Sequence, residues 1–158
     1  MNELPENRVI TKQLESVILG KKISKIAGNF TSNKFTFYEP NPENFSQMLL
    51  GKEITGFVKR NFYIEIHAEH KIILFRNGVN IRYFEPNQEI PAKSQLFIQF
   101  SDESVLNMTV SMYGFIGVLE RSDEVTNEYY LTELQGIGAL DDGFTLDYFS
   151  ILCQNNLK

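Results

Sequence analysis

The sequence predicts an α+β fold that is mainly β: a helix-flanked antiparallel β-sandwich of about eight strands, in one domain spanning residues 1–158. Three observations predict it. One period-3.6 apolar stripe opens the chain, a succession of short β-branched and aromatic runs follows, and turn residues separate those runs. Apolar residues make up 42 % of the chain, with 13 Phe and 7 Tyr, enough for a real core. No linker of low complexity divides it.

The elements follow in order. Pro5 opens a stripe of Val9, Ile10, Leu14, Val17 and Ile18. Proline suits the first helical turn, Glu3 and Glu6 suit the positive end of the helix dipole, and Gly20 suits the end of the helix. Strands are predicted at 22–27, 34–38, 53–60, 62–68, 71–75, 81–84, 96–100, 105–110 and 115–120. Turns are expected at Asn77-Gly78, at Glu85-Pro86-Asn87 and at Ser101-Asp102-Glu103. A short helix is expected at 45–50 and an amphipathic one at 145–152. The aromatics Phe35, Phe37, Tyr38, Phe97 and Phe100 read as sandwich core. Gly20-Lys21-Lys22-Ile23 is echoed by Gly51-Lys52-Glu53-Ile54, each copy following a Leu and starting a strand. So short an echo does not imply a repeat array.

Composition also bounds function. The lone cysteine, Cys153, excludes an internal disulfide and a Cys-rich zinc site and fits a reduced, cytoplasmic setting. No run approaches the ~20 apolar residues of a membrane helix, and no signal peptide opens the chain. His67 and His70 form His-x-x-His across a predicted turn with no third ligand nearby, so no metal is expected. Gly136-Ile137-Gly138 is too short for a phosphate-binding fingerprint, and no cofactor is expected. The net charge of −5 argues against a nucleic-acid binder acting alone. The charge is uneven, however. Residues 1–93 hold 13 Lys/Arg against 10 Asp/Glu, a net of +3, and residues 94–158 hold 2 against 10, a net of −8. An anionic ligand is expected to meet the first part.

An ordered series of short motifs adds to this. Met1-Asn2-Glu3-Leu4-Pro5-Glu6 opens the chain, and Leu19-Gly20-Lys21-Lys22-Ile23 and Leu50-Gly51-Lys52-Glu53-Ile54 follow. Lys59-Arg60, Phe100-Ser101-Asp102-Glu103-Ser104, Tyr113-Gly114 and the segment 134–140 complete the series. In this order the motifs resemble the N-terminal domain of the formamidopyrimidine-DNA glycosylase/endonuclease VIII family across nearly the whole chain. The resemblance implies a helix-flanked β-sandwich lobe that works with a helical, helix-two-turn-helix lobe and a zinc finger. Those parts are absent from the motifs of this chain, so a missing C-terminal lobe or a partner chain is expected. It implies a partner, damaged double-stranded DNA held weakly by this chain alone, and an activity: excision of oxidised bases followed by strand cleavage, with the target nucleotide flipped out.

The resemblance also assigns residues. The family attacks the sugar through the amine of an N-terminal proline. Here Asn2 stands at that position, and its bulk is expected to leave Met1 in place, so activity of the isolated chain is expected to be weak or lost. Glu3 matches the family's catalytic glutamate; complementing the helix dipole is the other reading of that residue. Lys59 and Arg60 match a basic pair near DNA phosphates, and Phe62 replaces a lysine that follows it. Val79, on a loop running to Arg82, and Tyr113, on the next loop, match side chains that fill the gap left by a flipped base. Ser111 replaces an arginine of that set. The DNA-binding positions expected are therefore Lys59, Arg60, Val79, Arg82 and Tyr113. The other reading is a diverged, non-catalytic member acting as a binding or protein-interaction domain.

Overall fold

A computed structural model of the protein describes residues 4–59, 63–121 and 137–155. The chain opens with helix α1 (Leu4–Ile18) and continues through β1 (Ile23–Gly28), β2 (Thr36–Glu39), a 3-10 turn (Pro42–Asn44) and α2 (Phe45–Leu49). There follow β3 (Ile54–Lys59), β4 (Tyr63–Ala68), β5 (Lys71–Phe84), β6 (Leu96–Phe100), β7 (Val105–Glu120) and a last helix α3 (Leu146–Asn155). The class is the expected one, mainly antiparallel sheet flanked by helices.

The strand order is β1-β6-β7-β5-β4-β3, with β2 added in parallel to the second half of β7. The two ends of this series are joined. Lys22 bridges Glu53, Gly20 N–H donates to the Ile54 carbonyl at 2.8 Å, and Gly51 N–H donates to the Ile23 carbonyl at 2.8 Å. The sequence echo is therefore a physical pairing. Each copy leaves a helix through a glycine at positive φ, Gly20 at 77° and Gly51 at 80°, and turns into a strand. Only glycine takes that backbone without cost. The two copies then hydrogen-bond to each other and close the sheet on itself.

One core fills the enclosed space. Ile23, Ile26, Ile54, Ile64, Ile66, Ile73, Phe75, Leu96, Ile98, Phe100, Leu106, Met108 and Val118 contribute from the strands, Leu14 and Ile18 from α1, and Phe45 and Leu49 from α2. Strand alternation puts every second residue inside, as the short runs predict. A smaller cluster of Tyr63, Ile72, Leu74 and Leu119, with Phe115 against it, lies apart from this core.

Four expectations are corrected. First, 71–75 and 81–84 are not separate strands joined by a turn at Asn77-Gly78; β5 runs through both, and β7 likewise unites 105–110 with 115–120. β5 pairs with β7 on both sides of Gly78, from Lys71 to Asn77 and from Val79 to Phe84, and a reversing turn there would give up one of these two runs of backbone hydrogen bonds. Second, the buried face of α1 is Asn7, Thr11, Leu14 and Ile18, and Val9 is exposed. The Thr11 hydroxyl is satisfied inside by donating to the Asn7 backbone carbonyl at 2.7 Å. Third, of the five aromatics read as core, Phe100 is buried, Phe35, Tyr38 and Phe97 are half-buried, and Phe37 is exposed. Fourth, Val79 does not stand on a loop; it is part of the core. No helix among the described residues is long and apolar enough to cross a membrane.

Candidate nucleic-acid interface

The paired strands β5 and β7 carry one large irregularity. Asn77 faces Gly114 and Val79 faces Val110, so the single residue Gly78 stands opposite three: Ser111, Met112 and Tyr113. Those three are pushed out of the ladder, and all are exposed, Met112 at 69 % and Tyr113 at 57 %. A bulge of this kind re-aims side chains out of a sheet.

The surrounding residues fix the bulge. A Cβ on Gly114 would stand 2.7 Å from one methyl of Val110 and 3.0 Å from a methyl of Val79, so only glycine lets the strand re-enter there. A Cβ on Gly78 would stand 2.8 Å from the Tyr113 carbonyl oxygen. The segment before β2 braces the other side. Asn33 donates through Nδ2 to the Val110 carbonyl at 2.8 Å and accepts from the Phe35 amide at 2.9 Å. The Gly114 amide donates to the Phe35 carbonyl at 3.0 Å. The Phe35 ring meets Tyr113 edge to face at 5.0 Å, and the Lys34 ammonium lies 4.8 Å from the centre of the Phe35 ring. The result is a projecting aromatic ring and thioether on a backbone locked by hydrogen bonds, with a cation behind them. Such a ring can stack on a base at small entropic cost.

The ladder register brings a second element to this end of the sheet. Lys59 pairs with Ile64, Tyr63 with Arg76, and Asn77 with Gly114. The tip of the β3–β4 hairpin and the bulge therefore sit at the same end, separated by the width of β5. Arg60 and Phe62, between β3 and β4 in the sequence, lie outside the described residues, as do Asn2 and Glu3. Lys59 is described by its backbone, at the end of β3. Arg82 is exposed on β5, opposite Asn107, farther along the ladder from the bulge. Val79 is 1 % exposed and forms the floor under the bulge, so its side chain is not a wedge as placed.

Of the residues gathered at this bulge, the sequence reading named Tyr113 as a candidate and did not name Met112, Lys34 or Phe35 as candidates. A signal existed. After Val105–Val110, the run Ser111-Met112-Tyr113 leaves the inside-outside alternation, and the glycine behind it marks a close approach.

The histidines are occupied otherwise. His67 Nε2 lies 2.6 Å from the buried Glu65 carboxylate, and His70 lies 4.0 Å from both Glu69 and Glu120. Among the described residues no group of three ligating side chains is assembled.

A second charged network ties the elements together. The Lys21 ammonium reaches Asp102 at 2.5 Å, the Tyr83 hydroxyl at 2.8 Å and the Ser104 hydroxyl at 2.9 Å. The Ser104 hydroxyl donates to Asp102 at 2.6 Å. Partial burial pushes the Asp102 carboxyl up, but the Lys21 and Ser104 hydrogen bonds outweigh it and hold the group at about 2. Burial likewise lowers Lys21, and the bonds to Asp102 and Tyr83 raise it further, so the net shift is upward. Lys21 is therefore a charged strut and no base.

Comparison with known proteins gives the family and the fold. The family model for the formamidopyrimidine-DNA glycosylase N-terminal domain matches residues 1–111. The chain is 27 % identical over 158 residues to the formamidopyrimidine-DNA glycosylase of Listeria monocytogenes, a match covering 95 % of this chain and 54 % of that protein. It is 36 % identical over 81 residues to the Bartonella henselae enzyme of the same name, covering 51 % of this chain and 26 % of that one. Among solved structures, Lactococcus lactis Fpg in complex with abasic-site DNA superposes with a TM-score of 0.69 at 21 % identity, over 83 % of this chain and 48 % of that one. MutM in complex with DNA containing carbocyclic 8-oxo-G gives the same TM-score and identity. The chain spans about half the length, or less, of these relatives.

Proposed function

The chain belongs to the formamidopyrimidine-DNA glycosylase N-terminal domain family, and from that membership we propose that it is the β lobe of a base-excision repair protein. In this reading it grips damaged double-stranded DNA with the bulge at Ser111–Tyr113. Tyr113, with Met112 beside it, enters the stack where a base is missing or flipped out. Lys59, which ends β3 at the same end of the sheet, and Arg60 after it in the sequence meet the backbone phosphates in this reading, and Arg82 contributes positive charge along β5. The observation that carries the reading is the bulge itself: three residues opposite one glycine, with the aromatic ring outward and its backbone locked.

Half of the DNA cleft comes from elsewhere in this account, as a helical C-terminal lobe in a longer chain or on a partner. Support comes from α3, whose Leu146, Phe149 and Ile151 are exposed, and from the half-length match to the relatives. A cytoplasmic setting beside the genome goes with this role.

Glycosylase/AP lyase chemistry needs a free amine at the chain start and an acid beside it. Asn2 offers a primary amine once Met1 is removed, and a primary amine still forms a Schiff base with an opened sugar. Glu3 would then supply the proton. A non-catalytic, DNA-binding or protein-interaction member is favoured by one observation: Val79 lies in the core and contributes nothing to a wedge. Borohydride trapping on abasic-site duplex separates the two, since only the catalytic reading gives a covalent adduct through the N-terminus. The shared reading is tested by fluorescence anisotropy with an abasic duplex and its intact counterpart. A preference for the abasic duplex is expected; equal affinity for both would overturn it.

A further inference from the structure

Away from the bulge, a half-open cavity of about 250 Å³ lies on the outward side of β1 and β6. Register assigns its floor. Ile26 and Ile98 pair and are buried, so Lys25, Ala27 and Phe97, the neighbours on either side, face outward. Ile90, Pro91 and Ala92, on the connection from β5 to β6, and Phe30, after β1, complete the walls. The connection is pinned over the sheet. The Thr31 amide donates to the Ser94 carbonyl at 2.6 Å, the Ser94 amide donates to the Thr31 hydroxyl at 3.1 Å, and the Gln95 side-chain amide donates to the Thr31 carbonyl at 2.8 Å.

Three features of this cavity bear on what it could hold. Phe30 is 70 % exposed at its mouth, an apolar ring left in water. Ser94, in the lining, is buried, and its hydroxyl has no hydrogen-bond partner among the described residues, a cost a folded chain normally avoids. Lys25 is the one charged side chain in the lining, and its ammonium lies 5.9 Å from the centre of the Phe97 ring. Two phenyl walls suit a flat ring, and the ammonium suits an anion carried by the molecule that holds that ring.

We propose that this cavity is a small-molecule site for a planar aromatic ring carrying an anionic group. Two sources share that chemistry: a free nucleotide, and a non-nucleotide aromatic acid. The site is separate from the bulge and does not depend on the DNA reading.

The test is titration of the isotope-labelled chain with indole-3-acetate, with adenosine 5′-monophosphate and with the neutral alcohol indole-3-ethanol, followed by amide NMR. At least one of the two acids is expected to give saturable shifts confined to residues 25–31 and 90–97. Which acid binds identifies the source. Lys25→Gln is expected to weaken the acid by about fivefold and leave the neutral alcohol unchanged. Phe30→Ala, a change at an exposed position, is expected to weaken it by more than fivefold while the thermal midpoint holds. Tyr113→Ala is expected to leave this binding untouched, which separates it from any failure at the bulge. The proposal is overturned if neither acid gives saturable shifts at these residues, if the alcohol binds as tightly as the acid, or if Lys25→Gln changes nothing.

Discussion

Tyr113 has the ring, and its surroundings give the ring a use. Phe35 holds it edge-on at 5.0 Å, and the hydrogen bond from the Gly114 amide to the Phe35 carbonyl fixes the backbone beneath. A stacked base is worth ~1–3 kcal/mol by alanine substitution, so Tyr113→Ala should weaken binding to abasic duplex by about tenfold. Tyr113→Phe should keep most of it, because the ring and not the hydroxyl does the stacking. Anisotropy titration of both variants checks this, with the unfolding midpoint unmoved because the side chain is mostly in solvent. Gly114 gives the opposite prediction. An added methyl meets Val110 and Val79 at 3.0 Å or less, and overpacking of this kind costs ~1–3 kcal/mol. Gly114→Ala should lower the urea midpoint as well as disturb DNA binding. At this scale the sequence spoke unevenly. Tyr113 was legible because a motif order located it. Val79 was misplaced because the same motif implied a loop, and a β-branched residue in a continuous strand is drawn inward by the core.

Among the elements, the joints matter more than the strands. The Gly20 and Gly51 segments look like a chance echo in the sequence and turn out to pair with each other. Neither copy shows its partner locally, so the pairing was not legible. The Lys21–Asp102–Ser104–Tyr83 network reinforces the same joint by fastening the exit from α1 to the β6–β7 hairpin. Its pH dependence has a definite sign. The folded-state Asp102 sits at about 2, below its ordinary value of 3.8. Its contribution is complete above pH ~4 and is lost as pH falls toward 2. The group is partly exposed, so the loss should be less than ~1 kcal/mol. Urea titrations between pH 5 and 2 should show the decline, and Asp102→Asn should flatten it. Tyr38 acts at the other extreme. Burial pushes its hydroxyl up to about 12 from an ordinary 10, while that hydroxyl donates to the Gln95 carbonyl at 2.9 Å. Its contribution holds below pH ~10 and fades as pH rises toward 12. The helices, the closing turns at Asn87 and Glu103 and most strand positions were legible, since period and turn chemistry are local signals. The continuity of β5 and β7 was not. Asn77-Gly78 has the composition of a tight turn, and only pairing along the full ladder makes it a bulge site instead.

For the whole molecule, the distribution of charge and of exposed apolar surface sets what the chain does in solution. The positive balance lies in residues 1–93 and the acidic balance after them, so duplex binding by this chain alone should be weak and fall steeply with salt. The exposed Phe149 and Ile151 of α3 should make the isolated chain self-associate at high concentration. Replacing both with Glu should raise the monomer fraction in sedimentation velocity without moving the thermal midpoint. Mainly β architecture and family were readable from pattern and motif order; the cavity beside Phe97 was not, because an outward phenylalanine and an inward one look alike in sequence.

The bulge at Ser111–Tyr113 is the part proposed to enter damaged DNA. A benzophenone side chain placed at position 113, irradiated on a duplex with one abasic site, tests it directly, with the same group at the exposed position 30 as control. Crosslinks from position 113 to the nucleotides flanking the abasic site, and none there from position 30, are predicted. Equal crosslinking from both positions, or none from position 113, would contradict it.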